Sequence, residues 1–174
     1  CCVLAVVLGR TAACQHACGQ HTCQQPDAQP QEGQAYVELT TAEKPLMLME
    51  SGDDAKPYLW NIILFAQETN GVPFTMEKIT EVFFNNEKLP MDTDEMTGDE
   101  IAWYWYTTRL EQGDLVNYSN NRPADGGIGY GVAVEGKDDN GNELTFKLYI
   151  PLSGEIRPKL TPEDFTKEAK PQEN

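Results

Sequence analysis

Alternation of apolar and polar residues is clearest over residues 127–152, where two alternating runs flank a cluster of turn residues. In each run the apolar side chains occupy every second position, which is typical of a β-strand with one buried face. The two runs therefore predict an antiparallel β-hairpin. A loop over residues 139–141 would place Val134 opposite Phe146, so that both apolar faces lie on one side of the hairpin. Such a loop needs a residue with positive φ, and Gly141 can supply it.

Two earlier runs, 58–66 and 74–84, are apolar at both odd and even positions. That pattern fits either a central strand or a buried helix. β-Branched and aromatic residues favour strands, and Asn70-Gly71 is a good turn between the two runs. We therefore predict a strand pair. Helices at 57–70 and 75–86 are the alternative.

A short helix is predicted near residues 98–112. Thr97 followed three residues later by Glu100 is typical of a capping box at a helix start. The acidic stretch 92–98 that leads into the helix predicts a solvated loop. The helix itself would carry a run of four aromatic residues, Trp103, Tyr104, Trp105 and Tyr106.

These four aromatic residues are the candidate ligand-binding site. Flat aromatic side chains with a polar edge serve in the recognition of sugars and of peptides. Tryptophan is also highly buried on average. A position in the hydrophobic core is therefore the competing interpretation for most of the four.

Several turn and core segments share a pattern with a known class of domain: Asn70-Gly71-Val72-Pro73-Phe74, Val82-Phe83-Phe84-Asn85, Arg109-Leu110-Glu111-Gln112-Gly113, Tyr130-Gly131-Val132 and 136–142. Together they resemble the immunoglobulin-like β-sandwich modules of bacterial secreted proteins and lipoproteins. The resemblance implies an all-β, antiparallel sandwich over residues 35–153, with a corner hydrogen bond from Tyr130. It implies a binding or spacing role without naming a ligand. The alternative is an α+β fold with helices at 57–70, 75–86 and 98–112.

Charge and residue usage exclude several functions. The net charge is −15, from 13 basic and 28 acidic residues, which argues against binding to nucleic acid. Both histidines and all five cysteines lie within the first 23 residues. The predicted domain therefore lacks the residues for a Ser–His or Cys–His nucleophile, and we predict no enzymatic activity and no cofactor.

The N-terminal segment predicts export. An apolar run is followed by small residues and then by Cys14, and this arrangement resembles a bacterial lipobox. By that resemblance, residues 1–13 are part of a signal peptide and Cys14 carries the lipid that anchors the protein to a membrane. Residues 14–34 are polar and rich in glutamine, which predicts a disordered tether.

Two further segments complete the sequence. The tether contains four potential metal ligands, His16, Cys18, His21 and Cys23. Their spacing matches no common zinc site, so no metal site is predicted. Residues 154–174 predict a polar tail with a short helix.

The combined expectation is a non-enzymatic, lipid-anchored module for adhesion, assembly or ligand binding, located outside the cytoplasm on a bacterial membrane. Its partners would be the membrane, through the lipid, and a protein or glycan ligand. One alternative is a secreted carbohydrate-binding or accessory module that uses the aromatic residues. A small α+β inhibitor or enzyme is the other.

Overall fold

The structure is a computed structural model that describes residues 30–124 and 126–158. Cys14, the predicted signal segment, the four possible metal ligands and the predicted C-terminal helix lie outside these residues. The elements follow in chain order: β1 Val37–Thr41, β2 Leu46–Glu50, β3 Tyr58–Glu68, β4 Phe74–Phe84, β5 Pro90–Thr97, α1 Asp99–Trp105, β6 Arg109–Leu110, β7 Leu115–Pro123, β8 Gly129–Asp138 and β9 Glu143–Ile156.

The strands form one nine-stranded sheet. β1 and β2 pair with one edge of β3, and β7 pairs with its other edge. β2 also pairs with β9, and the sheet continues through β8 and β4 to β5. The predicted all-β fold with a short helix is confirmed. The β2–β9 pair is parallel, which makes the sheet mixed rather than wholly antiparallel.

The core lies between the two halves of this sheet. Alternate residues of β3, from Trp60 to Ala66, are buried, and so are alternate residues of β8, from Tyr130 to Val134. Side chains from both strands belong to a single hydrophobic cluster, although the strands are far apart in the sheet order. The sheet therefore folds over on itself and packs face to face, as β-sheets do when one face of each strand is apolar.

The predicted hairpin is confirmed in its register. Val134 lies opposite Phe146, as burial of one face requires. The loop is closed by a hydrogen bond that the N–H of Asp138 donates to the carbonyl of Asn142. Gly141 has φ of 82°, which is the left-handed conformation that the three-residue loop needs.

The α+β alternative is wrong at 57–70 and 75–86, because both segments are strands. In β3 one set of alternate side chains is buried and most of the other set is half-buried, so neither face is wholly exposed and apolar residues occur at odd and even positions. The predicted pairing of the two runs is wrong as well. The turn at Asn70-Gly71 instead carries the chain from one half of the folded sheet to the other.

Two predictions around the helix need correction. The expected acidic loop at 92–98 belongs mostly to β5, an edge strand that pairs with β4. Charged residues are tolerated on an edge strand because much of it faces water. The predicted helix near 98–112 is present but ends at Trp105. Among the described residues, no helix is long and apolar enough to span a membrane.

Candidate functional site

The structure divides the four aromatic residues of the candidate site between core and surface. Trp105 is fully buried. The side chains of Trp103 and Tyr106 are 79% and 80% exposed, and Tyr104 is 48% exposed. Exposed aromatic side chains of this size are a feature of binding sites when they cluster. We refer to Trp103, Tyr104 and Tyr106 as the aromatic surface.

The helical period of α1 explains this division. Ile101 and Trp105 are four residues apart, so they lie on the same side of the helix, and both are buried. The indole of Trp105 stacks on Tyr118 of β7, with ring centroids 5.3 Å apart and an interplanar angle of 8°. Tyr104 contacts the same ring edge-to-face at 6.1 Å. Tyr118 thus anchors the helix from which the aromatic surface projects.

The end of the helix is held in an unusual conformation. Tyr106 is the C-cap and has φ of 63°, in the left-handed region. For a residue with a side chain this conformation costs on the order of 1 kcal/mol, and glycine usually occupies it. Trp103 lies in the last turn of α1 and Tyr106 directly follows the helix, so both exposed rings project from its C-terminal end. Strained residues of this kind are often found at functional sites.

Carboxylates border the aromatic surface. Asp99 and Glu100 are exposed, and they precede Trp103 by four and three residues, the spacing of neighbours on a helix. Neither forms a salt bridge with any residue that the structure describes. The carboxylate of Glu100 accepts one long hydrogen bond, 3.4 Å, from the N–H of Thr97. The surface therefore combines aromatic rings with unpaired negative charge.

The predicted capping box is only half formed. Gly98, not Thr97, is the N-cap, and no side chain caps the helix start. The bond from the N–H of Thr97 to Glu100 is the remaining half of the motif. Gly98 occupies the cap position with φ of 49°, in the positive region that glycine tolerates best.

A buried polar cluster lies beside the hydroxyl group of Tyr118, whose ring stacks on Trp105. Its centre is Glu81 of β4, whose side chain is 1% exposed. Nη2 of Arg122, from β7, lies 3.6 Å from Oε2 of Glu81. The hydroxyl groups of Tyr118 and Tyr130 also lie beside this carboxyl group. Neither hydroxyl forms a full hydrogen bond to Glu81. Tyr130 Oη and both carboxyl oxygens of Glu81 have no hydrogen-bond partner among the described residues.

Burial determines the ionisation of this cluster. Loss of hydration raises the pKa of Glu81, and the nearby hydroxyls of Tyr118 and Tyr130 and the charge of Arg122 offset this only in part. Burial, together with the Glu81 carboxyl, also raises the pKa of both tyrosines. The hydroxyls are therefore neutral at physiological pH. The corner hydrogen bond expected of Tyr130 is not formed, because its hydroxyl faces Glu81 instead.

Arg122 links this cluster to the edge strand β5. Its Nη2 forms an ion pair with Asp94 as well as with Glu81. Asp94 and Glu81 are directly opposite each other in the β4–β5 register. Two carboxyl groups therefore share one guanidinium, which is an arrangement that holds strands together.

Sequence reasoning missed Glu81 and Arg122. A signal for Glu81 was available, since it occupies the same inward-facing parity of β4 as the buried Ile79. A charged residue at such a position needs a partner. No group of metal-binding side chains occurs in the described part of the chain, and the possible ligands between His16 and Cys23 lie outside it.

Comparisons with known proteins give a fold likeness only. No protein-family model matches the chain, and no curated protein matches it. Among solved structures, it is similar to a putative ApaA protein from Bordetella pertussis, with 11% identity, a TM-score of 0.48, and coverage of 68% of this chain and 95% of that one. It is also similar to an X-ray structure of a Northeast Structural Genomics Consortium target, with 10% identity, a TM-score of 0.45, and coverage of 82% and 98%. Both neighbours have a mostly-β fold.

Proposed function

We propose that this chain is a non-enzymatic module that binds a ligand through its aromatic surface. The observation that carries the proposal is the exposure of Trp103 and Tyr106, each about four-fifths open to solvent on one end of a helix. Tryptophan and tyrosine dominate the energetics of protein interfaces, because they bury a large area at a small cost in conformational entropy. Leaving both exposed has no benefit for the fold.

The helix that carries the aromatic surface is packed against the core. Trp105 and Ile101 fix the buried side of α1, and the stack of Trp105 on Tyr118 ties the helix to β7. A surface that is ordered before binding loses less entropy when the ligand arrives. This supports recognition by preformed contacts.

A lipid anchor at Cys14 completes the proposal. The lipobox-like residues before it and the polar segment 15–34 after it support attachment outside the cytoplasm, with the tether holding the domain away from the membrane. Adhesion and assembly are roles that suit such a placement. Metabolic labelling with a fatty acid tests the anchor. The native chain should be labelled and Cys14→Ser should not, whereas absence of label on both would remove the anchor from the proposal.

Kinship with immunoglobulin-like modules is also part of the proposal. It is supported by the two halves of the sheet, which pack face to face around one core, and by the hairpin of β8 and β9. Modules of this architecture have binding and spacing roles, and a non-enzymatic function agrees with the enclosed position of Glu81 beneath the surface.

Carbohydrate binding is the second candidate function. It is favoured by the exposure of Trp103 and Tyr106 at the C-terminal end of α1, because flat rings of this kind stack on the apolar faces of sugars. Affinity electrophoresis on a panel of neutral polysaccharides tests it. Retardation that Trp103→Ala abolishes would support it, with Leu115→Ala as the control because Leu115 is exposed but lies on β7.

The proposed binding function is tested by the same pair of variants in an adhesion assay on whole cells or in pull-down with purified candidate ligands. Trp103→Ala should reduce binding strongly, and Leu115→Ala should leave it unchanged. Equal binding by the native chain and both variants, in every assay, would reject the aromatic surface as the binding site.

A further inference from the structure

We infer that the aromatic surface binds a protein segment that presents arginine or lysine side chains. This inference rests on the proposed function and names the chemistry of the partner. Two features of the surface carry it: an exposed indole with a free face, and unpaired carboxylates beside it. Neither feature alone would select a partner, but the two together are complementary to a cationic side chain.

The indole supplies the first contact. Trp103 is 79% exposed, and the face of a tryptophan ring attracts cations more strongly than the face of tyrosine or phenylalanine. Arginine is the best match, because its planar guanidinium stacks on an aromatic ring while its methylene groups cover apolar surface. Tyr106, at the C-cap of the same helix and 80% exposed, offers a further ring to a second side chain.

The carboxylates supply the second contact. Asp99 and Glu100 lie within one helical turn of Trp103 and have no basic partner among the described residues. Elsewhere the carboxylates near basic residues are paired, as Asp139 is with Arg109 and Glu95 is with Lys78. A guanidinium over Trp103 would be within reach of the side chains of Asp99 and Glu100, and a charge-assisted hydrogen bond would form there.

The charge of the whole chain favours the same partner. A net charge of −15 repels anionic ligands and attracts basic ones, which raises the rate of encounter at low ionic strength. A neutral glycan would gain nothing from this field. Charge complementarity therefore favours a basic protein segment over a sugar as the ligand of the aromatic surface.

The probe for this inference is a synthetic peptide with arginines spaced by glycine and serine. A matched peptide carries citrulline, which has the shape of arginine but no charge. Binding to the native domain is measured by calorimetry and by tryptophan fluorescence at low and physiological salt. We expect the arginine peptide to bind and the citrulline peptide to bind roughly 3- to 30-fold more weakly, the range that a cation–π contact provides.

Two sets of variants locate the site. Trp103→Ala should weaken binding of the arginine peptide roughly 3- to 30-fold. The double variant Asp99→Asn/Glu100→Gln should also weaken it. Glu87→Gln/Asp92→Asn is the matched control, since it removes the same charge from exposed positions outside α1 and should leave the affinity close to that of the native domain.

Each outcome has a defined meaning. Equal affinity for the arginine and citrulline peptides, or equal weakening by the two double variants, would overturn the inference, because binding would then need no cation or no particular site. Polysaccharide retardation that depends on Trp103, without binding of the arginine peptide, would overturn the inference and leave the proposed function standing. Insensitivity of every ligand to Trp103→Ala would overturn both.

Discussion

Glu81 and Arg122 meet across the fold, although their strands are not paired in the sheet. Nη2 of Arg122 lies 3.6 Å from Oε2 of Glu81. Arg122 belongs to β7, which ends the sheet beside β3, and Glu81 belongs to β4 in the opposite half. Arg122 also pairs with Asp94 on the edge strand β5. This cluster therefore joins the two ends of the sheet where no backbone ladder connects them.

The first prediction concerns the pH dependence of stability. Burial raises the pKa of Glu81 above its ordinary value of 4.5. Above that value the unfolded chain loses this proton before the folded chain does, so the folded state binds more protons. Stability from this group is thus fully present below pH 4.5 and is lost as the pH rises through the folded pKa. Urea unfolding as a function of pH should show this decline.

Glu81→Gln is the variant that isolates the effect, because glutamine has the same shape and no titratable proton. Its free energy of unfolding should decline less with rising pH than that of the native domain. Asp92→Asn is the control, since Asp92 is exposed, and its pH profile should remain like the native one. An unchanged decline in Glu81→Gln would contradict the prediction.

The second prediction concerns Arg122→Met. Methionine keeps much of the side-chain volume but removes the cation, so Glu81 remains buried without a positive partner. We expect a loss of about 1–3 kcal/mol in the free energy of unfolding and a further rise in the pKa of Glu81. The carboxyl ¹³C chemical shift of Glu81, followed by NMR titration, checks the second part.

A double-mutant cycle gives the outcome that would contradict this prediction. Once Glu81 is glutamine, Arg122 no longer balances a charge at that position, and Arg122→Met should then cost less. Strictly additive losses would mean that the two side chains do not interact. The remaining cost in the double variant would report the ion pair with Asp94.

The third prediction concerns Asp138, which organises the hairpin loop. Its carboxylate accepts hydrogen bonds from the N–H groups of Ala35, Asn140 and Asn142, and it is only 5% exposed. Asp138→Ala leaves these donors without their acceptor, and we expect a loss of about 2–4 kcal/mol. Thermal unfolding measures the loss. A shift within experimental error would contradict the prediction.

Acid unfolding provides an independent check at the same residue. Burial opposes ionisation of Asp138, but the hydrogen bonds from Asn142, Ala35 and Asn140 outweigh it and lower the pKa below its ordinary value of 3.8. The stabilisation is present above 3.8 and is lost as the pH falls through the lower folded pKa. Asp138→Asn should therefore unfold with a weaker pH dependence in this acidic range.

Local pattern was sufficient for the hairpin and insufficient for β5. In the hairpin, strict alternation and one glycine in the loop together leave a single register in which Val134 faces Phe146. β5 carries Asp92, Asp94 and Glu95, so no apolar face marks it as a strand. Its backbone becomes a strand by antiparallel pairing with β4, with Phe84 opposite Pro90, and these backbone hydrogen bonds need no apolar face.

The candidate site, too, could be predicted only in part from the local sequence pattern. The sequence identified the aromatic run, but which of its members are exposed depends on α1 being helical and on where it meets Tyr118. The meeting of Glu81 with Arg122 depends on the sheet folding over, since their strands are not hydrogen-bonded partners. Contacts of this kind have no local signature beyond a charged residue at an inward-facing position.

The fourth prediction compares two glycines of β8. A methyl group at Gly136 would lie 2.0 Å from the carbonyl oxygen of Thr75, and one at Gly129 would lie 2.2 Å from the hydroxyl of Tyr149. The backbone of Thr75 cannot yield, because it is part of β4, whereas the half-exposed ring of Tyr149 can rotate away. Gly136→Ala should lose about 3 kcal/mol and Gly129→Ala less than about 1 kcal/mol. Equal urea midpoints would contradict this.

The last prediction separates the structural aromatic residue from the exposed one. Trp105→Ala removes a buried ring that stacks on Tyr118, and we expect a loss of about 3–5 kcal/mol in the free energy of unfolding. Trp105→Phe should lose less, because it keeps an aromatic ring and because Nε1 of Trp105 has no hydrogen-bond partner within the described residues. Trp103→Ala should change stability by no more than about 0.5 kcal/mol, since its side chain is mostly in water. Urea unfolding followed by far-ultraviolet circular dichroism measures all three, and a loss at Trp103 equal to that at Trp105 would mean that the exposed ring supports the fold rather than a ligand.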